Sequence, residues 1–169
     1  MADRTRRPIL FLDVDGPLLP FGGNAQLGPR DSSTGTHLAR LDPTVGPRLT
    51  ALACELVWAT AWEDDANTEI APRIGLPQLP VVNWPDSCDE HEREDEWLGL
   101  HWKTRHLVDW AAGRPFVWVD DEITDDDTTW ATANHPTRVL LHRVESSRGL
   151  IDEDFTILDH WLRTSTTML

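Results

Sequence analysis

Asp13 and Asp15 stand one residue apart at the end of the apolar run Ile9–Leu12, with Gly16 directly after them. In a strand, side chains two apart share a side, so both carboxylates leave the run aimed into one small volume. Like charges that close repel unless a cation lies between them or one keeps a proton. Either outcome is chemistry. Gly16 allows the sharp turn that takes the chain away from the pair. A turn with a helix cap is the structural alternative, and what sits at the other strand ends decides between the two.

The elements that must hold such a pair follow from the apolar patterning. Short apolar runs predict strands at residues 9–12, 56–59, 80–82, 116–119 and 139–141. Helical character falls between most of them, at residues 43–54, 62–74, 101–112 and 152–162. Asp42 is a plausible cap with Pro43 in the first turn, and Gly113 ends the third helix. Trp102 and Trp110 share helical spacing and are assigned to the core, as are the strand residues Trp58 and Trp118. Strands that alternate with helices imply a parallel sheet covered on both faces, here one α/β domain over residues 1–169. Residues 17–41, rich in Gly, Pro, Ser and Thr, form the longest irregular stretch.

Reactive groups in such folds collect at the carboxyl ends of the strands. The run at 56–59 ends in Thr60, and the run at 116–119 ends in Asp120 and Asp121. Lys103 stands on the helix before that last strand. Taken singly, Thr60 is an ordinary strand-end hydroxyl, Lys103 a surface lysine and Asp120-Asp121 a helix start. Their order at successive strand ends is what gives them a common role.

Composition sets the outer limits. The 169 residues are 40% hydrophobic and 26% charged, as in ordinary globular proteins. A net charge of −14 argues against an extended nucleic-acid footprint, which needs clustered Lys and Arg, though not against one phosphate held at a metal. Acids group at 63–65, 89–96 and 120–127. The middle group is a solvated loop or helix face, and Asp125 to Asp127 are expected to face solvent. No apolar run approaches the ~20 residues of a membrane span. The basic N-terminus runs directly into the first strand, and the chain is expected to be cytoplasmic. Cys54 is placed in the core; Cys88 and His91 have ligand-like spacing, but two ligands do not hold zinc.

With its strand followed by Asp13-Val14-Asp15, then Thr60, Lys103 and Asp120-Asp121, the chain resembles the phosphohydrolase branch of the haloacid dehalogenase (HAD) superfamily. The wording Leu12-Asp-Val-Asp-Gly-Pro-Leu-Leu-Pro20, Trp58-Ala-Thr-Ala-Trp62 and Val117-Trp-Val-Asp-Asp-Glu122 is similar to the small capless HAD domains of RNA-repair proteins. The resemblance implies a three-layer α/β/α Rossmann-like core around a central, mostly parallel sheet of five strands. It also implies that Asp13 attacks phosphorus and becomes an aspartyl-phosphate, while Asp15 protonates the leaving oxygen and later activates water. Mg²⁺ would be held by Asp13, the Asp15 carbonyl and Asp120, with Asp121 as a further ligand. Thr60 would hydrogen-bond a phosphoryl oxygen and Lys103 would neutralise charge. Pro17 departs from the family pattern, which has Thr or Val there, and is expected to reshape the loop without removing either carboxylate.

Residues 61–102 have room only for a helix, a strand and the acidic stretch, so the enzyme is expected to be capless or minimally capped, with an open site. Open sites suit a macromolecular phosphomonoester, such as a nucleic-acid end, or a nucleotide covered by a partner. Trp62 and Trp84 follow strand ends and are candidates for stacking a base, against ordinary packing under a loop. Two other functional classes remain. A non-catalytic module would keep the fold and present its acidic surface to a basic partner. A phosphorelay receiver gathers similar groups, but its Asp and Lys come in a different order.

Overall fold

The computed structural model describes residues 7–21, 38–86 and 88–166. Four strands form one parallel sheet: β1 (Ile9–Leu12), β2 (Glu55–Trp58), β3 (Phe116–Asp120) and β4 (Val139–Arg143), in the order β2-β1-β3-β4. Period-two alternation divides their side chains between two cores. Leu10, Leu12, Leu56, Trp58, Val117 and Val119 face one side; Ile9, Phe11, Val57, Phe116 and Trp118 face the other. Strands buried on both faces must be apolar throughout, which is why these runs show no polar alternation.

The first core is covered by α1 (Val45–Thr50), a π-helical turn (Ala66–Ile70) that continues into α2 (Ala71–Ile74), and α6 (Asp152–Thr166). The second is covered by α4 (Thr104–Ala111) and α5 (Asp125–Asn134). The expected three-layer α/β/α arrangement is therefore present. Between α2 and α4 lies α3 (Asp89–Leu98), none of whose residues is buried, consistent with a solvated acidic face. No helix among the described residues is long and apolar enough to cross a membrane.

The expected fifth strand is a correction. Residues 80–82 make only an isolated parallel bridge, Trp58 to Val81, with hydrogen bonds from Trp58 N to Pro80 O and from Val82 N to Trp58 O, both 2.9 Å. Pro80 has no N–H for a ladder. The buried Asn67 amide meanwhile bonds both backbone groups of Leu79 and accepts from Trp58 Nε1, all at 2.9 Å. A side chain thus does locally what a strand partner would have done.

The expected helices at 43–54, 62–74 and 101–112 are shorter, and Trp102 lies before α4 rather than in the core, with 47% of its surface exposed. Turns stand where the first residues of all three were expected. Cys54 is buried and Cys88 exposed. Residues 22–37 of the expected irregular stretch lie outside the described residues.

The helix α1 approaches α2 through Gly46, where any side chain would collide with the Ile74 backbone carbonyl. Gly46→Ala is therefore predicted to destabilise the fold by about 1–3 kcal/mol. Urea unfolding with an unchanged midpoint would contradict this close packing.

Candidate active site

Strand register brings the site together. Ala59 N donates to Leu12 O (2.9 Å) and Asp13 N to Val119 O (3.1 Å), so Asp13 stands level with the ends of both neighbouring strands. Beyond it, Leu18 N and Leu19 N both donate to Val14 O, and Gly16 N donates to Leu19 O, each at 3.0 Å. Gly16 has φ +97°, and a Cβ there would lie 2.7 Å from the Asp121 Cγ. Glycine thus meets two needs here, a left-handed turn and room for Asp121. Pro17 keeps its place in this turn, and its carbonyl accepts from Leu150 N at 2.9 Å.

Lys103 Nζ lies 2.8 Å from Asp120 Oδ2 and 3.2 Å from Asp13 Oδ1, and all three residues are buried. Burial pushes the Asp13 carboxyl up to about 7; the Lys103 ammonium pulls it down and the Asp120 charge adds to the rise. Asp121 is raised to about 6 by partial burial and by its hydrogen bond and charge contact with Asp120. Carboxylate oxygens of Asp13, Asp120 and Asp121 come within 4.8 Å of one another. Once ionised, three carboxylates against one ammonium leave negative charge uncompensated, and the donors are all oxygen. That set fits a hard divalent cation such as Mg²⁺.

The Asp15 carboxylate is outside this cluster and is held separately: Trp62 Nε1 donates to its Oδ2 at 3.0 Å. The two aspartates that leave the strand together therefore have different surroundings, one beside Lys103 and one beside an indole. Thr60 is fully buried. Its hydroxyl accepts from Trp62 N (3.2 Å), and its carbonyl accepts from Trp84 Nε1 (3.0 Å). Trp62 and Trp84, the two candidates for base stacking, are half-buried, each with its N–H engaged by Asp15 or Thr60.

Asp127 is the second correction. Expected in solvent, it is fully buried. Its Oδ1 accepts from His101 N (2.8 Å) and from Thr104 Oγ1 (2.6 Å), and its Oδ2 accepts from Thr124 N and Oγ1, both 2.9 Å. One carboxylate thus caps α5 and fixes the turn carrying Lys103. The Thr124-x-x-Asp127 spacing is a capping-box signature that marks it in the sequence. His101 adds to the brace: its Nδ1 accepts from Lys103 N (3.2 Å), which leaves Nε2–H to donate to Glu122 (2.7 Å).

Residues 9–155 match the protein family described as the HAD domain in Swiss Army Knife RNA repair proteins. No curated protein and no solved structure matches the chain.

The raised Asp13 carboxyl has a pH consequence. The unfolded chain ionises this group near 3.8, whereas the fold keeps it protonated up to about 7. Its contribution to stability is full below 3.8 and is lost as pH rises through about 7. At pH 8 without divalent ions, Asp13→Asn is predicted to melt above wild type, by about 3 °C or more. A cation must displace the same proton, so Mg²⁺ should raise the wild-type Tm more at pH 8 than at pH 5.5. Equal shifts at both pH values would contradict the assignment of Asp13 to the cation cluster.

Proposed function

Because the chain belongs to the HAD-domain family of Swiss Army Knife RNA repair proteins, we propose that it hydrolyses phosphomonoesters through a phospho-aspartate at Asp13. The observation that carries this reading is the Lys103 ammonium set between Asp13 and Asp120, with Asp15 held apart by Trp62. A carboxylate can attack a phosphate dianion only where the charge of both is offset. Lys103 offsets part of it from within the fold. A divalent ion held by Asp13, Asp120 and Asp121 would supply the remaining neutralisation.

The chain's own groups account for both halves of the reaction. An Asp13 oxygen forms a bond to phosphorus as the bond to the ester oxygen breaks, and protonated Asp15 delivers its proton to that leaving oxygen. Asp15, now a carboxylate, takes a proton from water as the water oxygen attacks phosphorus. This releases inorganic phosphate and restores the Asp13 carboxylate. The Trp62 hydrogen bond occupies Oδ2 of Asp15, which leaves Oδ1 for the proton. Thr60, at the adjoining strand end, would bond a phosphoryl oxygen.

The family's description favours a nucleic-acid end as substrate. The −14 charge limits contact to the terminal nucleotides rather than a long phosphate backbone.

Asp13→Asn is predicted to lower Mg²⁺-dependent hydrolysis of p-nitrophenyl phosphate on the order of 10³-fold or more. Substantial turnover by this variant would overturn the nucleophile assignment. Trp62→Phe keeps the ring and removes the donor to Asp15. It should reduce kcat/KM roughly tenfold or more for an alkyl phosphate, whose leaving oxygen needs a proton. The loss on p-nitrophenyl phosphate should be much smaller, since nitrophenolate leaves without help. An equal loss on both substrates would remove Trp62 from the proton-transfer step.

A further inference from the structure

Beside the carboxylate cluster lies a cavity of about 510 Å³ that the reaction outlined above does not use. Its walls include Trp84, Leu100, Trp102, His106, Glu96 and Glu122. The two indoles meet edge to face with centroids 4.8 Å apart, and the His106 ring lies 6.1 Å from Trp84. Both indoles are anchored to the phosphoryl site. Trp84 donates to the Thr60 carbonyl, and Lys103 Nζ lies 5.5 Å from the Trp102 ring centroid. Two of the cavity's walls thus touch residues of the reaction centre, Thr60 and Lys103.

The chemistry of the walls narrows the occupant. No lysine or arginine lines the cavity among the described residues, so it is not a second phosphate site. Much of its acidity is already engaged: Asp95 is paired with Arg105 at 2.6 Å, and Glu122 accepts from His101. Beside these pairs the walls offer flat aromatic surface and the Glu96 carboxylate. That combination suits a planar heteroaromatic ring with N–H donors on its rim. The volume is ample for a nucleoside.

We infer that this cavity is a nucleobase subsite, in which Trp102 stacks the base of the nucleotide whose phosphate is removed at Asp13. The inference rests on the phosphohydrolase reading and narrows its substrate to a terminal nucleotide engaged through base and phosphate together. Trp102 suits the task because nearly half of its surface is open in the unbound protein.

The test compares kcat/KM for nucleoside 3′- and 5′-monophosphates with kcat/KM for p-nitrophenyl phosphate, in wild type, Trp102→Ala and Trp102→Phe. Wild type should favour at least one nucleotide, and Trp102→Ala should cut the nucleotide-to-aryl ratio roughly tenfold or more, as loss of a base–aromatic stack would. Trp102→Phe should retain most of that ratio. A ratio unchanged in Trp102→Ala, or a wild type that prefers the aryl ester to every nucleotide, would overturn the subsite. If neither ester is hydrolysed, the phosphohydrolase reading fails on its own, and titration calorimetry with the same nucleotides decides the subsite. Binding at least tenfold weaker in Trp102→Ala supports it; equal affinity, or no binding to wild type, rejects it.

Discussion

The structure is organised around one buried ammonium. Asp13 and Asp120 are carried out of water by the strands they terminate, and two unpaired carboxylates so placed would cost the fold heavily. Lys103 enters between them from a different element and offsets part of their charge. The compensation is incomplete by design of the donor set, because Asp121 adds a third acid. Burial therefore creates both the raised Asp13 carboxyl and the affinity for a divalent cation.

Much of the surrounding architecture serves to keep that ammonium in place. Lys103 sits at the start of α4, on a turn whose backbone is held by Asp127 from α5 and by its neighbour His101. Asp127 in turn completes the cap of its own helix. A displacement of α5 would therefore reach the site through these hydrogen bonds. On the opposite side, the left-handed turn at Gly16 lets Asp121 approach the loop that follows Asp13. The same turn leads Asp15 to Trp62, so that two acids one residue apart acquire different partners.

Much of this was readable from residue order, and for a physical reason. Strands buried on both faces are continuous apolar runs, so β1, β2 and β3 announce themselves, and polar residues just past their ends are exceptional. That is why Asp13, Thr60 and Asp120 stood out. Residues 80–82 misled because an apolar run next to prolines has the composition of a strand without the donors of one. Asp127 misled because it sits in a run of acids, where charge patterning argues for solvent and a capping box argues for burial; the cap prevailed. Trp102 misled because its helical spacing to Trp110 counts only if the helix has begun, and it begins at Thr104.

By itself, then, the sequence determined the layered α/β fold and which acids, hydroxyl and lysine would meet at its rim, because strand periodicity and strand ends are local properties. Only the tertiary structure decided which partners hold each of those groups. The pairing of Lys103 with two carboxylates, the indole on Asp15, the brace from Asp127 and the aromatic cavity beyond Trp102 all join residues distant in the chain. Partners of that kind are set by strand register and helix packing, and no local pattern of residue types encodes them.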